Sequence, residues 1–145
     1  MDKRVSFDFE IDFTNGGWIA GMVYKSTDAG ANWTVADSGL PVPGPLGENL
    51  LQGISLAIDP VNTSTLYVGL AADYFNLAVP SGVTAGIYKS TNGGASWTAI
   101  DADLPSLDIH AFARSVHDPA RMWAYLAAGG VYESTDGGVT WSTVY

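Results

Sequence analysis

Cysteine is absent from this chain of 145 residues, so disulfide bridges and thiolate metal sites are excluded. Basic residues are also few, because six Lys and Arg stand against 15 Asp and Glu, for a formal net charge of −9. Phosphate contacts require clustered Lys and Arg, so this balance argues against nucleic acid and anionic membrane surfaces as partners. No run approaches the roughly 20 apolar residues of a membrane span, and the start of the chain is no signal-peptide core.

The composition is that of a packed globular domain. Hydrophobic residues make up 47% of the chain and charged residues 14%, which argues against disorder. Seventeen glycines and seven prolines favour many short strands joined by tight turns. No segment shows a helical period, so the sequence predicts an all-β fold in a single domain.

One short pattern occurs three times. An Asp or Asn in it can accept hydrogen bonds from backbone N–H groups further along and close a turn. The following Gly permits a positive φ, and the Trp buries a large ring between sheets. We therefore predict structural rather than catalytic roles for these residues. The shared residues are Ser26, Asp28, Gly30 and Trp33 in the first copy, Ser90, Asn92, Gly94 and Trp97 in the second, and Ser134, Asp136, Gly138 and Trp141 in the third.

The spacing of the copies indicates four-stranded units. Asp28 and Asn92 are 64 residues apart, and Asn92 and Asp136 are 44 apart. Propeller blades repeat about every 40–50 residues. We predict units at approximately residues 1–40, 50–104 and 109–145. The predicted strands are residues 5–13, 18–25 and 33–36 in an incomplete first unit, 54–58, 65–70, 86–90 and 96–100 in the second, and 111–116, 122–127, 131–134 and 140–144 in the third.

The pattern Ser-x-Asp-x-Gly-x-x-Trp resembles the Asp-box, or bacterial neuraminidase repeat, of sialidases, xyloglucanases, sortilin-like receptors and photosystem assembly factors. The first and third copies fit it fully, whereas Asn92 replaces the acid in the second. The resemblance implies propeller-like antiparallel blades, with each box between the third and fourth strands and away from the ligand face. It is compatible with a secreted or periplasmic protein, and the compartment stays undetermined.

Three blades, the first incomplete, are fewer than the roughly four to eight that close a propeller. Two explanations remain. A homo-oligomer would complete the ring, and a two-fold dimer of six blades is the favoured form. Alternatively, the chain is a fragment of a longer propeller.

The candidate ligand face carries the longest irregular segments, at residues 37–52, 71–85 and 101–108. Within the second segment, Asp73, Tyr74, Phe75 and Asn76 combine a carboxylate, two aromatic rings and an amide, which suits carbohydrate. The alternative is a loop whose aromatics pack on the core. Glycosidases use two carboxyl groups, so Glu48 and Asp73 are weak catalytic candidates. Three further carboxylates on this face are Asp101, Asp103 and Asp108.

We predict a non-catalytic binding or scaffold module for a glycan or protein ligand, without a cofactor. The alternative is a glycoside hydrolase, or a fragment of one, that uses the loop carboxylates. The resemblance does not extend to sialidase activity, since the chain has only three arginines and no recognisable carboxylate-binding arrangement. His110 and His117 are seven residues apart on a predicted strand, so they point to opposite faces and do not share a metal.

Overall fold

The protein is described here by a computed structural model, which covers residues 4–8, 22–41, 51–72 and 85–144. Within these ranges the chain forms strands only, so the predicted all-β class is confirmed. The same ranges contain no helical segment that could cross a bilayer. The strands are β1 (Arg4–Asp8), β2 (Met22–Ser26), β3 (Thr34–Val35), β4 (Leu51–Ile58), β5 (Leu66–Ala72), β6 (Gly86–Ser90), β7 (Thr98–Ala99), β8 (Ile109–Arg114), β9 (Met122–Leu126), β10 (Val131–Ser134) and β11 (Ser142–Thr143).

The strands form three antiparallel sheets in chain order. The first sheet is β1-β2-β3, the second is β4-β5-β6-β7 and the third is β8-β9-β10-β11. Arg4 pairs with Ser26 as Leu66 pairs with Ser90, so β1 corresponds to β5 rather than to β4. Among the described residues, the first sheet therefore lacks a counterpart of β4 and β8. The described part of the first unit thus has three strands, as predicted, and residues 9–21 of the unit lie outside the described residues.

The hydrophobic core lies in two layers between the sheets. Successive residues of β5 point to opposite faces, as the two-residue period of a strand requires. Leu66 and Val68 pack toward the first sheet, whereas Tyr67 packs toward the third. The second sheet is thus covered on both sides, which explains why β5 is almost continuously apolar.

The turns before β5 and β9 correct one predicted equivalence. The two Asp-Pro pairs, Asp59-Pro60 and Asp118-Pro119, predict from the sequence that His117 matches Ile58. Arg114 takes that place instead, because Arg114 pairs with Met122 as Ile58 pairs with Leu66. Strand β8 accordingly ends two residues before the predicted limit at residue 116. Each turn contains seven residues between its two strands, and Pro119 lies three positions further along its turn than Pro60 does.

Strands β4 and β8 each contain a β-bulge at the same point. The register shifts between Gly53 and Ser55 in β4 and between Ile109 and Ala111 in β8. A bulge inserts one extra residue into the strand and changes the direction of its side chain. In β8 that residue is His110.

Candidate functional site

The three repeated turns close through their own side chains. In each turn, the Ser hydroxyl oxygen accepts a hydrogen bond from the backbone N–H of the Gly four residues later. The same hydroxyl donates to the side-chain oxygen of the Asp or Asn two residues later. That oxygen in turn accepts the backbone N–H of the residue four positions after the Asp or Asn. The Ser–Gly distances are 2.8, 2.9 and 2.8 Å in chain order. The distances from the Asp or Asn oxygen to Asn32 N, Ser96 N and Thr140 N are 2.9 Å in each turn. Each turn is therefore internally satisfied.

These bonds make two of the carboxyl groups strongly acidic. The Asn32 side chain, and then its backbone N–H, lower the pKa of Asp28 to about 2. The Thr140 hydroxyl, and then its N–H, lower the pKa of Asp136 to about 2. A carboxyl group of this acidity is fully ionised near neutral pH and does not serve there as a general acid.

The second and third turns also bind the loop between the first two strands of their own sheet. Gly93 N donates to Ser64 O at 2.8 Å, and Gly137 N donates to Ala120 O at 2.9 Å. Together, the turns and these loops form one end of the sheets, which we call the turn end. The β9–β10 connection and the link from the second to the third sheet lie at the opposite end.

The turns also join each sheet to the next. Trp97 Nε1 donates to Ala36 O at 2.7 Å, and Trp141 Nε1 donates to Ile100 O at 2.8 Å. Lysine adds to both junctions, since Lys25 Nζ lies 2.8 Å from Gly93 O and Lys89 Nζ lies 3.5 Å from Gly137 O. Trp97 and Trp141 are thus inter-sheet contacts, whereas Trp33 of the first turn is 38% exposed, contrary to the burial predicted for it.

A buried ion pair also crosses the second junction. Arg114 Nη2 lies 2.9 Å from Asp59 Oδ2, and the two side chains are only 3% and 11% exposed. Asp59 also accepts the N–H groups of Val61 and Asn62. The Asn62 N–H is the main cause of the lowered pKa of Asp59, and Arg114 adds to it.

The end opposite the turns brings together a carboxylate and two rings. Asp108 O accepts Ala127 N at 2.9 Å, which holds the inter-sheet link against the β9–β10 connection. Asp108 Oδ1 is buried and has no hydrogen-bond partner among the described residues. Two residues further along, the His110 ring meets the Tyr125 ring edge to face, with centroids 6.1 Å apart. Tyr125 is exposed, so this group, which we call the Asp108 cluster, presents an aromatic surface.

Asp101 is also predicted to lie on the candidate ligand face, but its side chain binds the backbone of the protein itself. It is buried, and its Oδ2 accepts Ile87 N at 2.8 Å. Burial raises the pKa of Asp101. The Asp101 carboxylate lies against Gly86, where any side chain would collide with it. A Cβ placed on Gly86 would lie 1.8 Å from Asp101 Oδ2, and the φ of Gly86 is +141°. Asp103 is exposed nearby.

The remaining predicted site residues are not assembled by the described part of the chain. Glu48, Asp73, Tyr74, Phe75 and Asn76 lie outside the described residues, so their roles stay predictions. His110 and His117 lie in β8 and in the turn after it. Across the described ranges, no group of three His, Asp or Glu could hold a metal ion.

A model of the BNR/Asp-box repeat family matches residues 132–143, which include Ser134, Asp136 and Trp141. The third turn is an Asp-box. The other two turns have the same hydrogen bonds, so the chain carries three Asp-box turns at equivalent places in three sheets. No curated protein sequence matches the chain.

The fold resembles solved GH74 enzymes. A GH74 enzyme of Niastella koreensis is 26% identical and covers 96% of this chain, with a TM-score of 0.61. A GH74 xyloglucanase from Xanthomonas campestris is 16% identical, covers 97% and has a TM-score of 0.59. The chain spans only 19% and 21% of these two proteins. An ancestral GH74 enzyme is 22% identical and has a TM-score of 0.55. Its match covers 85% of this chain and 15% of the length of that enzyme. The Asp-box sheets are thus propeller-like.

Sequence reasoning did not select Tyr125 or the Asp59–Arg114 pair. Tyr125 appears in the sequence as one more apolar position of a strand, and only the bulge at His110 brings a second ring to it. Asp59 and Arg114 are 55 residues apart, and no local signal connects them. The Asp-box residues, by contrast, interact within four positions of one another and are readable from the sequence.

Proposed function

We propose that this chain is a non-catalytic, glycan-binding segment of Asp-box sheets, and that its ligand is xyloglucan, bound at the Asp108 cluster. The observation that carries the proposal is the exposed Tyr125 ring at the same end of the sheets as Asp108, whose Oδ1 has no hydrogen-bond partner among the described residues. Carbohydrate sites combine an aromatic face, which stacks on a sugar ring, with a few polar groups that bind hydroxyls. Asp108 Oδ1 is buried, so a sugar hydroxyl that donates to it must first displace the groups that cover it.

Two further observations support this location. The Asp-box carboxylates at the turn end already accept hydrogen bonds on both oxygens within their own turns, which leaves less acceptor capacity for a ligand. One of the similar structures is named a xyloglucanase, which suggests the class of polysaccharide to test.

The test is calorimetric titration of the chain with xyloglucan oligosaccharides. We expect Tyr125→Ala to weaken binding at least about tenfold, which corresponds to about 1.4 kcal/mol. Asp108→Asn should weaken it less, because an amide oxygen can still accept one hydroxyl. Asp118→Asn is the matched control at the turn end, where Asp118 Oδ1 only accepts Ala120 N at 3.0 Å. Equal affinities for the wild type and Tyr125→Ala would contradict the proposal.

A second candidate function is glycoside hydrolysis, because the three similar structures are all GH74 enzymes. Release of reducing sugar from xyloglucan separates the two candidates. Turnover that disappears in Glu48→Gln or Asp73→Asn would favour the hydrolase. Saturable binding without turnover would favour the binding module.

A further inference from the structure

The two junctions between sheets repeat one set of contacts. One position after the last strand is equivalent in the three sheets, because its backbone N–H donates to a carbonyl oxygen of the preceding strand in each. The residues at this position are Ala36, Ile100 and Val144, which donate to the carbonyls of Val23, Ile87 and Val131 respectively. At both junctions, the carbonyl at this position accepts the indole N–H of the next Asp-box. The side chain at this position also lies beside the box glycine, since Ala36 Cβ is 3.6 Å from a Cβ placed on Gly94 and Ile100 contacts one placed on Gly138.

The first sheet presents the indole half of this junction to solvent. Trp33 is 38% exposed, whereas Trp97 and Trp141 are 3% and 8% exposed. No hydrogen bond of the Trp33 indole is found within the described ranges. The difference follows from position, since no described sheet precedes the first one.

The third sheet presents the other half. Val144 is 44% exposed, and it stands where Ala36 and Ile100 each receive the following Asp-box. Glu133 replaces the lysines of the other two sheets, but it binds Arg121, whose guanidinium is half-exposed. This edge therefore keeps a cation, which would face the ionised Asp28 turn of an incoming first sheet.

We propose that the first sheet of one copy docks on the third sheet of a second copy, with the Trp33 indole packed at Val144 and donating to the Val144 carbonyl. This contact would continue the two junctions already present inside the chain. It joins different surfaces of the two copies, so the copies associate head to tail. When the first sheet of each copy docks on the third sheet of the other, the six sheets of the two copies surround one two-fold axis. The proposal is independent of the ligand proposed above.

The experiment measures the solution mass of the whole chain by light scattering across a concentration series. We expect the wild type to reach twice the 15.2 kDa chain mass. Trp33→Ala and Val144→Asp should each give a monomer. An equimolar mixture of the two variants should recover a one-to-one dimer, because Val144 of the first can still receive Trp33 of the second.

Two controls make the result specific. Val116→Asp introduces the same charge at another exposed valine, 72% exposed, in the β8–β9 turn and should leave the dimer intact. Trp33→Phe keeps an aromatic ring but deletes the indole N–H, so it should weaken the dimer about tenfold without abolishing it. Circular dichroism checks that each variant is folded. A wild type that stays monomeric, a dimer that survives both disrupting variants, or a mixture that fails to associate would overturn the proposal.

Discussion

Ala29 has the backbone conformation that glycine takes in the other two Asp-boxes. Its φ is +62°, close to the +69° of Gly93 and the +76° of Gly137 at the equivalent positions. A side chain in this left-handed region costs about 1–2 kcal/mol, because Cβ approaches the following carbonyl oxygen. The first Asp-box is therefore locally strained at one residue, and the strain is compensated by the bonds around it.

Replacing Ala29 by glycine should relieve that strain. Greater freedom of the unfolded chain offsets about 0.4–1 kcal/mol of the gain, so we expect Ala29→Gly to raise the free energy of unfolding by about 1 kcal/mol or slightly less. The reverse change, Gly137→Ala, has room for its Cβ, 3.6 Å from Lys89 Nζ, and should lower stability by a similar amount. Urea unfolding of both variants measures the change, and shifts of the same sign in the two would refute this account.

As an element, each Asp-box couples stability to acid through its central residue. Asp28 and Asp136 have folded-state pKa values of about 2, below the ordinary 3.8. A lowered folded pKa favours the folded state when the group is ionised, so this stabilisation is complete above about pH 4 and is lost as the pH falls toward about 2. Asn92 carries no charge, so the middle box does not contribute to this loss.

We expect Asp136→Asn to reduce the loss of stability between pH 4 and pH 2. The double variant that also carries Asp28→Asn should lose even less stability over this range. The turns should survive the exchange, because Asn92 already accepts Ser96 N at 2.9 Å and donates to the Ser96 hydroxyl at 2.8 Å. The raised pKa of Asp101 acts with the opposite sign, favouring the folded state as Asp101 is protonated. The urea midpoint of each variant is therefore compared with that of the wild type at each pH. If the midpoint falls with pH equally steeply in both, the Asp-boxes are not the source of the acid-induced loss of stability.

At the scale of the whole molecule, the sheets depend on one another because the second is covered by both neighbours. The Asp59–Arg114 ion pair lies within the junction of the second and third sheets, and the Arg114 guanidinium also lies 5.6 Å from the centre of the Tyr67 ring. Removing one partner of a buried pair leaves the other charged and uncompensated.

Arg114→Met should therefore lower the free energy of unfolding by about 3–5 kcal/mol. Asp59→Asn should also destabilise the protein, since it leaves Arg114 buried without its countercharge while keeping an oxygen for Val61 and Asn62. The double variant should be less destabilised than the sum of the two, because neither charge is left alone. A double-mutant cycle from urea unfolding gives this coupling directly. Additive effects would show that the pair does not hold the two sheets together.

The sequence by itself determined the strand class, the three-stranded first unit and the three Asp-box turns. These features are local, because alternation within a strand and bonds between residues two to four apart depend only on neighbouring positions. The segment at residues 101–108 also lies at the predicted end of the sheets, whereas Glu48 and residues 73–76 lie outside the described residues and stay predictions. Tertiary structure alone decided the equivalence of Arg114 with Ile58, the burial of Asp101, the pairing of Asp59 with Arg114 and the meeting of His110 with Tyr125. Each of these depends on strand register or on packing between sheets, which brings together residues that are distant in the chain.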